Sequence, residues 1–326
     1  MFLKYCHLMV IGILAASGLA QAQQTADSAY PSRSVRVVVP VSPGGSTDLQ
    51  ARIMTNRLSE MLGVPFIVDN RPGAGGIIGT DIVAKAAPDG YTLLFAQAGH
   101  TIIPFVFNKV PYDVYKDFTP ITLVATAPLA LTINPAVGAN SVKELIEIAK
   151  AKPGQLNVAL STLSSSGALL AEWFKSATKT NIISIPFKGG SPAMTAVLSN
   201  EVQFIFATIP AALPFVKGGR LKMLAMSGTK RFPLLPDVPT MDEVGLKGFE
   251  AEPWGGFLGP ANMPRAVVDR IQRACVAILN EKDVRERLIE TGNVPVGSTS
   301  QEFASKLERE LKQNAEIVKE VGMKAD

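Results

Sequence analysis

The sequence predicts an α/β protein with two lobes that are joined by two crossing strands and enclose a ligand cleft. Strand-like and helix-like segments alternate along most of the chain, a pattern typical of sheets covered by helices. The alternation falls into two units, and amphipathic helices follow near the C-terminal end. Hydrophobic residues make up 47% and charged residues 18% of the 326 residues, which fits a packed globular protein.

The first unit is predicted to contain three strands and two helices. Its strands are expected at Val35–Val39, Phe66–Val68 and Tyr91–Ala96. Helices are expected between them, at Thr47–Leu62 and Gly76–Ala87. Because the links are short, this βαβαβ order predicts a parallel sheet with right-handed crossovers.

The second unit repeats the alternation over roughly 100 residues, an ordinary size for a domain. Its predicted strands are Leu129–Ile133, Leu156–Ser161, Ile182–Phe187, Val202–Ala207 and Leu221–Met226. Its predicted helices are Ser141–Ala151, Ser165–Ala177, Ser191–Ser199 and a short one at Pro210–Val216.

The stretch 227–264 is predicted to be largely irregular, because six prolines interrupt it. Three amphipathic helices follow, near Arg265–Asn280, Asp283–Glu290 and Gln301–Val321. Helices without a sheet of their own must pack on an existing one, and we expect the first unit to be their host.

This arrangement predicts a discontinuous first lobe. Residues 23–127 and 228–326 are expected to form the first lobe, and residues 128–227 the second. The chain then crosses between the lobes near Thr122–Ala127 and near Leu224–Gly228. In such α/β sheets, ligands bind beyond the carboxyl ends of the strands, which here would face the cleft from both lobes.

The first 22 residues are predicted to be a signal peptide. The apolar run Leu8–Ala20 is too short to span a bilayer comfortably. Ala20-Gln21-Ala22 is an A-x-A cleavage pattern. We therefore expect cleavage after Ala22, export and a soluble mature protein. An uncleaved membrane anchor is the alternative.

The charge balance does not favour a polyanionic partner. Lys and Arg number 32, and Asp and Glu number 28, so the net charge is +4 and the two signs are mixed along the chain. Such a distribution predicts neither a nucleic-acid surface nor a polybasic membrane patch. It is compatible with a small anionic ligand.

Few residues are available for metal binding or covalent chemistry. Cys6 and His7 belong to the predicted signal peptide, which leaves His100 and Cys275. A zinc site built on His and Cys is therefore not expected, and neither is a cofactor or an internal disulfide. His100 follows a predicted strand, where it could reach the cleft, and an ordinary loop histidine is an equal alternative.

Residues 40–48, with the sequence PVSPGGSTD, carry the clearest binding pattern. This loop connects the first predicted strand to the first predicted helix. Gly44 and Gly45 let the backbone approach a ligand closely, and the first N–H groups of the helix have no intrahelical partners. The Ser, Thr or Asp that follows can cap the helix. The pattern predicts an anion cradle, and a tight turn without a ligand is the alternative.

Two motifs that resemble enzyme signatures are incomplete. Gly189–Ala193 resembles a G-x-S-x-G nucleophile motif, but no histidine follows Ser191, as the order Ser–Asp–His requires. Gly73–Gly79 resembles a dinucleotide-binding fingerprint, yet Ile78 occupies a position that requires glycine. A glycine-rich loop that packs a helix closely on its sheet explains this motif better. We predict no enzyme activity, with an exported hydrolase-like α/β enzyme as the main alternative.

Several distinctive motifs occur in order along the chain after the predicted signal peptide. They are Tyr30-Pro31, Val37–Asp48, Asp69–Gly79, Pro88–Leu94, Pro186–Ala193, Leu235–Thr240 and Glu243–Trp254. Together these motifs resemble the Bug family, the TctC-like periplasmic solute-binding receptors of tripartite tricarboxylate transporters. The resemblance covers essentially the whole mature chain. It implies a periplasmic-binding-protein-like fold with the ligand between two lobes, in agreement with the prediction from the residues alone.

The resemblance also implies which loops bind the ligand. A ligand carboxylate is expected at the loop after the first strand, and facing loops of the second lobe are expected to complete the site as the lobes close. The expected ligand-binding residues are Val41, Ser42, Gly44, Gly45, Ser46, Thr47, Asp48, His100, Ser161, Ser164, Ser165, Gly189, Gly190, Ser191 and Ala207. For each serine, a helix cap that never touches ligand is the alternative.

The implied partners are a small carboxylate and the membrane permease subunits of a tripartite tricarboxylate transporter. A monomer without a nucleic-acid partner is expected. A ligand sensor for a membrane signalling kinase is a further alternative, since the sequence does not separate sensing from transport.

Three positions depart from the pattern of the resembling family. Val41 stands where Phe is frequent, Ala168 where His is common, and Ala207 where Asp is common. These changes remove aromatic and polar groups around the expected cleft. They favour a more apolar or aromatic carboxylate than a typical dicarboxylate.

Overall fold

Two β-sheets with helices packed on them make up the protein, as seen in a computed structural model. The structure describes residues 30–187, 189–228, 230–247, 249 and 252–324. The two sheets confirm the predicted α/β fold class. The predicted signal peptide lies outside the described residues.

Eleven strands occur in the described residues. In chain order they are β1 (Val35–Val39), β2 (Phe66–Asn70), β3 (Thr92–Gln97), β4 (Phe118–Thr126), β5 (Leu129–Ile133), β6 (Asn157–Leu160), β7 (Ile183–Pro186), β8 (Phe204–Thr208), β9 (Lys222–Met226), β10 (Trp254–Pro260) and β11 (Val294–Pro295).

Ten α-helices lie between and after these strands in the part of the chain that the structure describes. They are α1 (Ser46–Leu62), α2 (Ile77–Ala84), α3 (Gly99–Val106), α4 (Val142–Ala151), α5 (Ser166–Thr178), α6 (Gly190–Leu198), α7 (Ile209–Lys217), α8 (Arg265–Leu279), α9 (Lys282–Glu290) and α10 (Ser300–Val321).

The first sheet has the strand order β11-β4-β10-β3-β1-β2, and the second has the order β7-β6-β8-β5-β9. β2, β1 and β3 pair in parallel, as the βαβαβ pattern predicts, and β10 runs antiparallel between β3 and β4. In the second sheet, β6 pairs in parallel with β7 and β8, whereas β5 is antiparallel to β8 and β9. The chain passes between the sheets after β4 and again after β9.

β1 is buried on both faces except at Arg36, which explains the valines at its other four positions. Successive side chains of a strand point to opposite faces. Val37 therefore packs in a core with residues of α1 and α8, while Val38 packs in a second core with residues of α2, α3 and α10.

β10 lies in the stretch 227–264 that the sequence predicted to be largely irregular, and the prediction missed this strand. Its three glycines and its final proline resemble loop composition. The structure shows why glycine is needed there, since a Cβ atom at Gly256 would lie 2.7 Å from Phe303 Cζ. At Gly255, a Cβ atom would lie 2.8 Å from Phe95 Cε1. The rings of Phe303 and Phe95 thus occupy the space that a side chain at Gly256 or Gly255 would need.

α10 does not pack on the first sheet alone, in contrast to the prediction for the C-terminal helices. Near its start, Phe303 and Leu307 lie in the core of the first sheet. Near its end, Ile317 and Val318 lie in the core of the second sheet, with Leu169 of α5. The helix has 22 residues. At 1.5 Å per residue this gives roughly 33 Å, enough to reach both sheets.

His100 lies in the core of the first sheet. Only 3% of the residue is exposed, and Nε2 donates a hydrogen bond of 2.9 Å to the carbonyl oxygen of Val114. The rings of Tyr112 and Phe118 lie beside it. Burial lowers the pKa of His100 to about 4, although the bond to Val114 opposes this change. The imidazole is therefore neutral at pH 7.

No helix among the described residues is long and apolar enough to cross a membrane.

We predict that His100 makes the protein less stable as the pH falls from about 6.5 to 4. The unfolded chain takes up a proton at the ordinary pKa of 6.5, whereas the folded protein resists protonation until about pH 4. Stability from the buried neutral imidazole is thus complete above pH 6.5 and decreases below it, by roughly 3 kcal/mol at most. Urea unfolding at pH 7.5, 6 and 5 measures this loss.

The His100→Gln variant is the matched control, because an amide can still donate to Val114 but does not titrate. Its free energy of unfolding should depend less steeply on pH than that of the wild type over this range. Equal pH dependence in the two proteins would contradict the assignment.

Candidate ligand-binding site

A cavity of about 670 Å³ lies between the two sheets. This volume is ordinary for a small-molecule site. Loops that follow the carboxyl ends of β1, β3, β6, β7 and β8 line it, and so do the first residues of α1, α3, α5 and α6. The structure thus brings strand ends and helix N-termini of both sheets to one space.

Thirteen of the fifteen predicted site residues line this cavity. They are Val41, Ser42, Gly44, Gly45, Ser46, Thr47, Ser161, Ser164, Ser165, Gly189, Gly190, Ser191 and Ala207. The structure does not place Asp48 or His100 on the cavity wall. His100 is enclosed in the core described above, so its position after a strand does not bring it to the cleft.

Asp48 stabilises the glycine loop through hydrogen bonds on the side away from the cavity lining. Its Oδ2 accepts hydrogen bonds of 2.9 Å from the N–H of Gly44 and from Arg52 Nε. Its Oδ1 accepts a bond of 2.9 Å from Asn70 Nδ2, which also donates to the carbonyl oxygen of Val41. One carboxylate therefore connects the loop to α1 and β2.

The Asp48 carboxyl is ionised. Burial by itself would raise the pKa of Asp48, but the hydrogen bonds from Arg52, Gly44 and Asn70 outweigh it and lower the pKa. Only 3% of Asp48 is exposed, so its carboxylate is a buried charge. The hydrogen bonds from Arg52, Gly44 and Asn70 stabilise this charge. Its role in the structure is to position the loop.

The N-terminus of α1 keeps free donors at the cavity. The first intrahelical bond runs from the N–H of Leu49 to the carbonyl oxygen of Gly45, at 2.9 Å. No side chain caps the helix, so the N–H groups of Ser46 and Thr47 lack intrahelical partners. Gly44 is among the expected ligand-binding residues, but its N–H already donates to Asp48.

The hydroxyl protons in this turn have partners inside the protein. Ser46 Oγ donates to Asn293 Oδ1 at 3.2 Å, and Thr47 Oγ1 donates to Gln97 Oε1 at 3.1 Å. The backbone N–H groups are therefore the donors that the turn offers to an anion.

α6 presents a second N-terminus of the same kind from the second sheet. Its N-cap residue Gly189 has φ of 124°, a conformation that side chains rarely tolerate, and no side chain caps the helix. The Gly189 N–H donates to the carbonyl oxygen of Ser161 at 2.8 Å, which fixes the loop. The N–H groups of Gly190 and Ser191 lie in the first turn, and Pro192 has no N–H.

One of the serines after β6, Ser165, is a helix cap, which was the alternative to ligand binding. Ser165 Oγ accepts from the N–H of Ala168 at 3.1 Å and donates to the carbonyl oxygen of Thr162 at 2.7 Å. Ser161 Oγ donates to Ser165 Oγ. Ser164 differs, since it is 7% exposed and faces the first sheet, where a Cβ atom at Gly75 would lie 3.0 Å from its Oγ.

The described residues that line the cavity include no Lys, Arg, His, Asp or Glu. Lys188, next to Gly189, lies outside the described residues. Positive potential at the cavity therefore comes, as far as the described residues are concerned, from the N-termini of helices. Their aligned peptide dipoles favour an anion there.

One wall of the cavity is apolar. Met194, Ile205, Ala207 and Ala211 of the second sheet and its helices form it, and Trp254 contributes from β10. Ala207 and Val41 are thus small apolar residues of the cavity lining. Ala168, the third departure from the family pattern, is fully buried in α5 and is not on the wall.

Trp254 is held in place by a charged group behind the cavity. Its Nε1 donates to Glu310 Oε2 at 2.8 Å. Glu310 also accepts from Thr101 Oγ1 at 3.0 Å and pairs with Lys306 Nζ at 2.7 Å. Glu310 and Lys306 belong to α10, so this wall is tied to the helix that contacts both sheets.

Sequence reasoning missed four polar residues that shape the site: Gln50, Asn70, Gln97 and Asn293. Asn70 belongs to the motif Asp69–Gly79, but no pattern of neighbouring residues indicates its hydrogen bond to Asp48. Gln50 is one helical turn after Ser46, and this spacing is the one signal that could have placed it on the same face.

No group of three or more His, Cys, Asp or Glu side chains that could hold a metal occurs in the described parts of the chain.

Comparison with known proteins identifies the family. Residues 50–323 match the family described as "Tripartite tricarboxylate transporter family receptor". Protein BugT of Bordetella pertussis is 37% identical over 323 residues, which cover 97% of this chain and 98% of BugT.

Solved structures agree in fold. A protein of R. palustris solved with adipate has a TM-score of 0.83 and 32% identity, and the match covers 91% of this chain and 100% of that one. MatC from Rhodopseudomonas palustris, solved with bound malate, has a TM-score of 0.79 and 31% identity, with coverage of 89% and 100%.

These matches confirm the resemblance that the motifs indicated. The chain belongs to the tripartite tricarboxylate transporter receptor family, whose members are solute-binding receptors and not enzymes.

Proposed function

We propose that this protein is a periplasmic receptor that captures a small organic carboxylate and delivers it to the permease subunits of a tripartite tricarboxylate transporter. The observation that carries the proposal is the pair of uncapped helix N-termini, α1 and α6, which reach one cavity from two sheets. Membership of the receptor family supports it.

The carboxylate binds first at α1. The N–H groups of Ser46 and Thr47 donate to its oxygens, in a loop that Asp48 already holds in shape. Hydrogen bonds to an ionised acceptor are stronger than neutral ones, and backbone donors lose little side-chain entropy on binding. Gly190 and Ser191 of α6 then complete the site from the other lobe.

Closure of the lobes brings the two halves together. The predicted first lobe, residues 23–127 with 228–326, closely approaches the second, residues 128–227, at three of the described glycines, Gly75, Gly99 and Gly292. Gly75 lies against Ser164, and a Cβ atom at Gly292 would lie 2.4 Å from the ring of Pro210. Such close approach suits a hinge motion that shuts a cleft around its ligand.

The apolar wall favours a carboxylate with an apolar or aromatic body. Val41 and Ala207 carry no polar group that could bind a second carboxylate, and Met194 and Ile205 extend the apolar surface. The relatives solved with adipate and with malate bind dicarboxylates instead.

The receptor acts as a monomer in the periplasm after removal of its signal peptide.

We predict that Gly45→Val abolishes carboxylate binding and leaves the fold intact. Gly45 has φ of −83° and ψ of 172°, extended values that valine adopts readily. A Cβ atom there meets nothing within 4 Å, so the added side chain stands in the cavity and blocks access to the α1 donors. Calorimetry with benzoate, phenylacetate, succinate and citrate measures binding, and thermal unfolding checks the fold.

Gly218→Val is the control, since Gly218 also has negative φ, meets only ordinary contacts and does not line the cavity. It should bind like the wild type. Unchanged affinity in Gly45→Val would remove the loop from the site, and absence of binding by any carboxylate to the wild type would refute the proposed function.

A further inference from the structure

The side-chain amide of Gln97 has one hydrogen-bonded atom and one free atom at the cavity. Gln97 is the last residue of β3 and lines the cavity, and it is partly exposed whereas the four residues before it are buried. Its Oε1 accepts a hydrogen bond of 3.1 Å from Thr47 Oγ1, but its Nε2 has no partner among the described residues. Nε2 is not one of the buried side-chain atoms without a partner, so it is accessible from the cavity.

The backbone beside this nitrogen leaves space for a ligand group. A Cβ atom at Gly99 would lie 3.6 Å from Gln97 Nε2 and 3.2 Å from the carbonyl oxygen of Ser164. Gly99 and Ser164 line the cavity as well, and Ser164 belongs to the predicted second lobe. Because residue 99 is glycine, no side chain of this residue stands between Nε2 and the second lobe.

The orientation of the amide follows from the hydroxyl group that it binds. The Thr47 hydroxyl has no other acceptor among the described residues, so its proton uses Gln97 Oε1. In the reverse orientation, a carbonyl oxygen would face the carboxylate that we place at the N–H groups of Ser46 and Thr47, and the two would repel each other. A bound carboxylate therefore keeps Nε2 toward the cavity, and an amide nitrogen is purely a donor.

Thr47 also places this donor next to the ligand carboxylate. Its N–H is one of the free donors of α1, and its hydroxyl holds Gln97. Nε2 therefore lies beside the bound carboxylate, where it can meet a substituent on the α-carbon of the ligand. The described residues of the cavity lining include no Asp or Glu that could pair with an ammonium group there. The helix N-termini disfavour a cation as well.

We infer that Gln97 selects carboxylates that carry an oxygen acceptor, a keto or hydroxyl group, on the α-carbon, and that it discriminates against α-amino acids. This inference rests on the proposed function of the cavity. An α-keto or α-hydroxy acid accepts a hydrogen bond from Gln97 Nε2, whereas the unsubstituted parent acid leaves this donor without a partner. An ammonium group in the same place meets a donor. Sites built to bond a polar substituent discriminate strongly against analogues that lack it.

Calorimetric titrations of the mature protein with matched acids test this inference. The parent acids are propionate, glutarate and phenylacetate, and their α-keto counterparts are pyruvate, α-ketoglutarate and phenylglyoxylate. The α-hydroxy counterparts are lactate, α-hydroxyglutarate and mandelate, and the amino acids are alanine, glutamate and phenylglycine. In the series that binds best, the keto or the hydroxy acid should bind about tenfold more tightly than the parent, and the amino acid more weakly than the parent. Equal affinities, or a preference for the amino acid, would overturn the inference.

Gln97→Glu distinguishes a contact with the ligand from a merely structural role. Glutamate still accepts from Thr47 Oγ1, but it turns a charged acceptor toward the cavity in place of the donor. The order of affinities should therefore invert, so that the amino acid binds more tightly than the keto acid. If Gln97 only holds Thr47 in place, all affinities change alike and their order stays, which would contradict the inference.

Gln97→Met removes the donor and keeps a similar length. The preference for the keto or hydroxy acid over the parent should disappear in this variant, and a preference that persists would overturn the inference. Thermal unfolding checks that both variants fold, and the comparison of acids on the wild type decides without them. If neither these acids nor benzoate, succinate and citrate bind the wild type, the proposed function itself fails.

Discussion

The hydrogen bonds of the Asp48 carboxylate are the interaction on which the rest of the site depends. Residues 40–45 contain two prolines and two glycines, and this loop forms neither helix nor strand. Asp48 binds the N–H of Gly44, Arg52 and Asn70, and so fixes this loop to α1 and to the end of β2. The N–H groups at the start of α1 can then face the cavity uncapped. A buried carboxylate thus holds the loop at which we propose that the carboxylate of the ligand binds.

The two sheets contribute equivalent parts to the cavity. Both place the carboxyl ends of parallel strands beside helix N-termini, which is where open α/β sheets bind ligands. Elements shared between the sheets hold this arrangement together. α10 packs on both cores, and Glu310 on the same helix binds Trp254 of the cavity wall. The lobe closure that we propose would therefore change the shape of the cavity.

Local sequence patterns predicted the alternation of strands and helices and the glycine loop, because these depend on neighbouring residues. They could not reveal interactions between distant parts of the chain. β10 looked like a loop because its glycines make room for Phe95 and Phe303. Gln50 is oriented by Asn293, which is 243 residues away. The position of His100 after a strand suggested the cleft, but in the fold His100 packs against Tyr112 and Phe118 in the core. The lobe boundaries stay predictions.

The central claim is that backbone N–H groups of two opposing helices hold the ligand carboxylate. NMR of the ¹⁵N-labelled protein, titrated with a carboxylate that binds in calorimetry, tests this most directly. We expect saturable downfield proton shifts at the amides of Ser46 and Thr47 in α1 and of Gly190 and Ser191 in α6, since these amides gain a charged acceptor. Saturation of binding with unchanged amide shifts in both helices would contradict it.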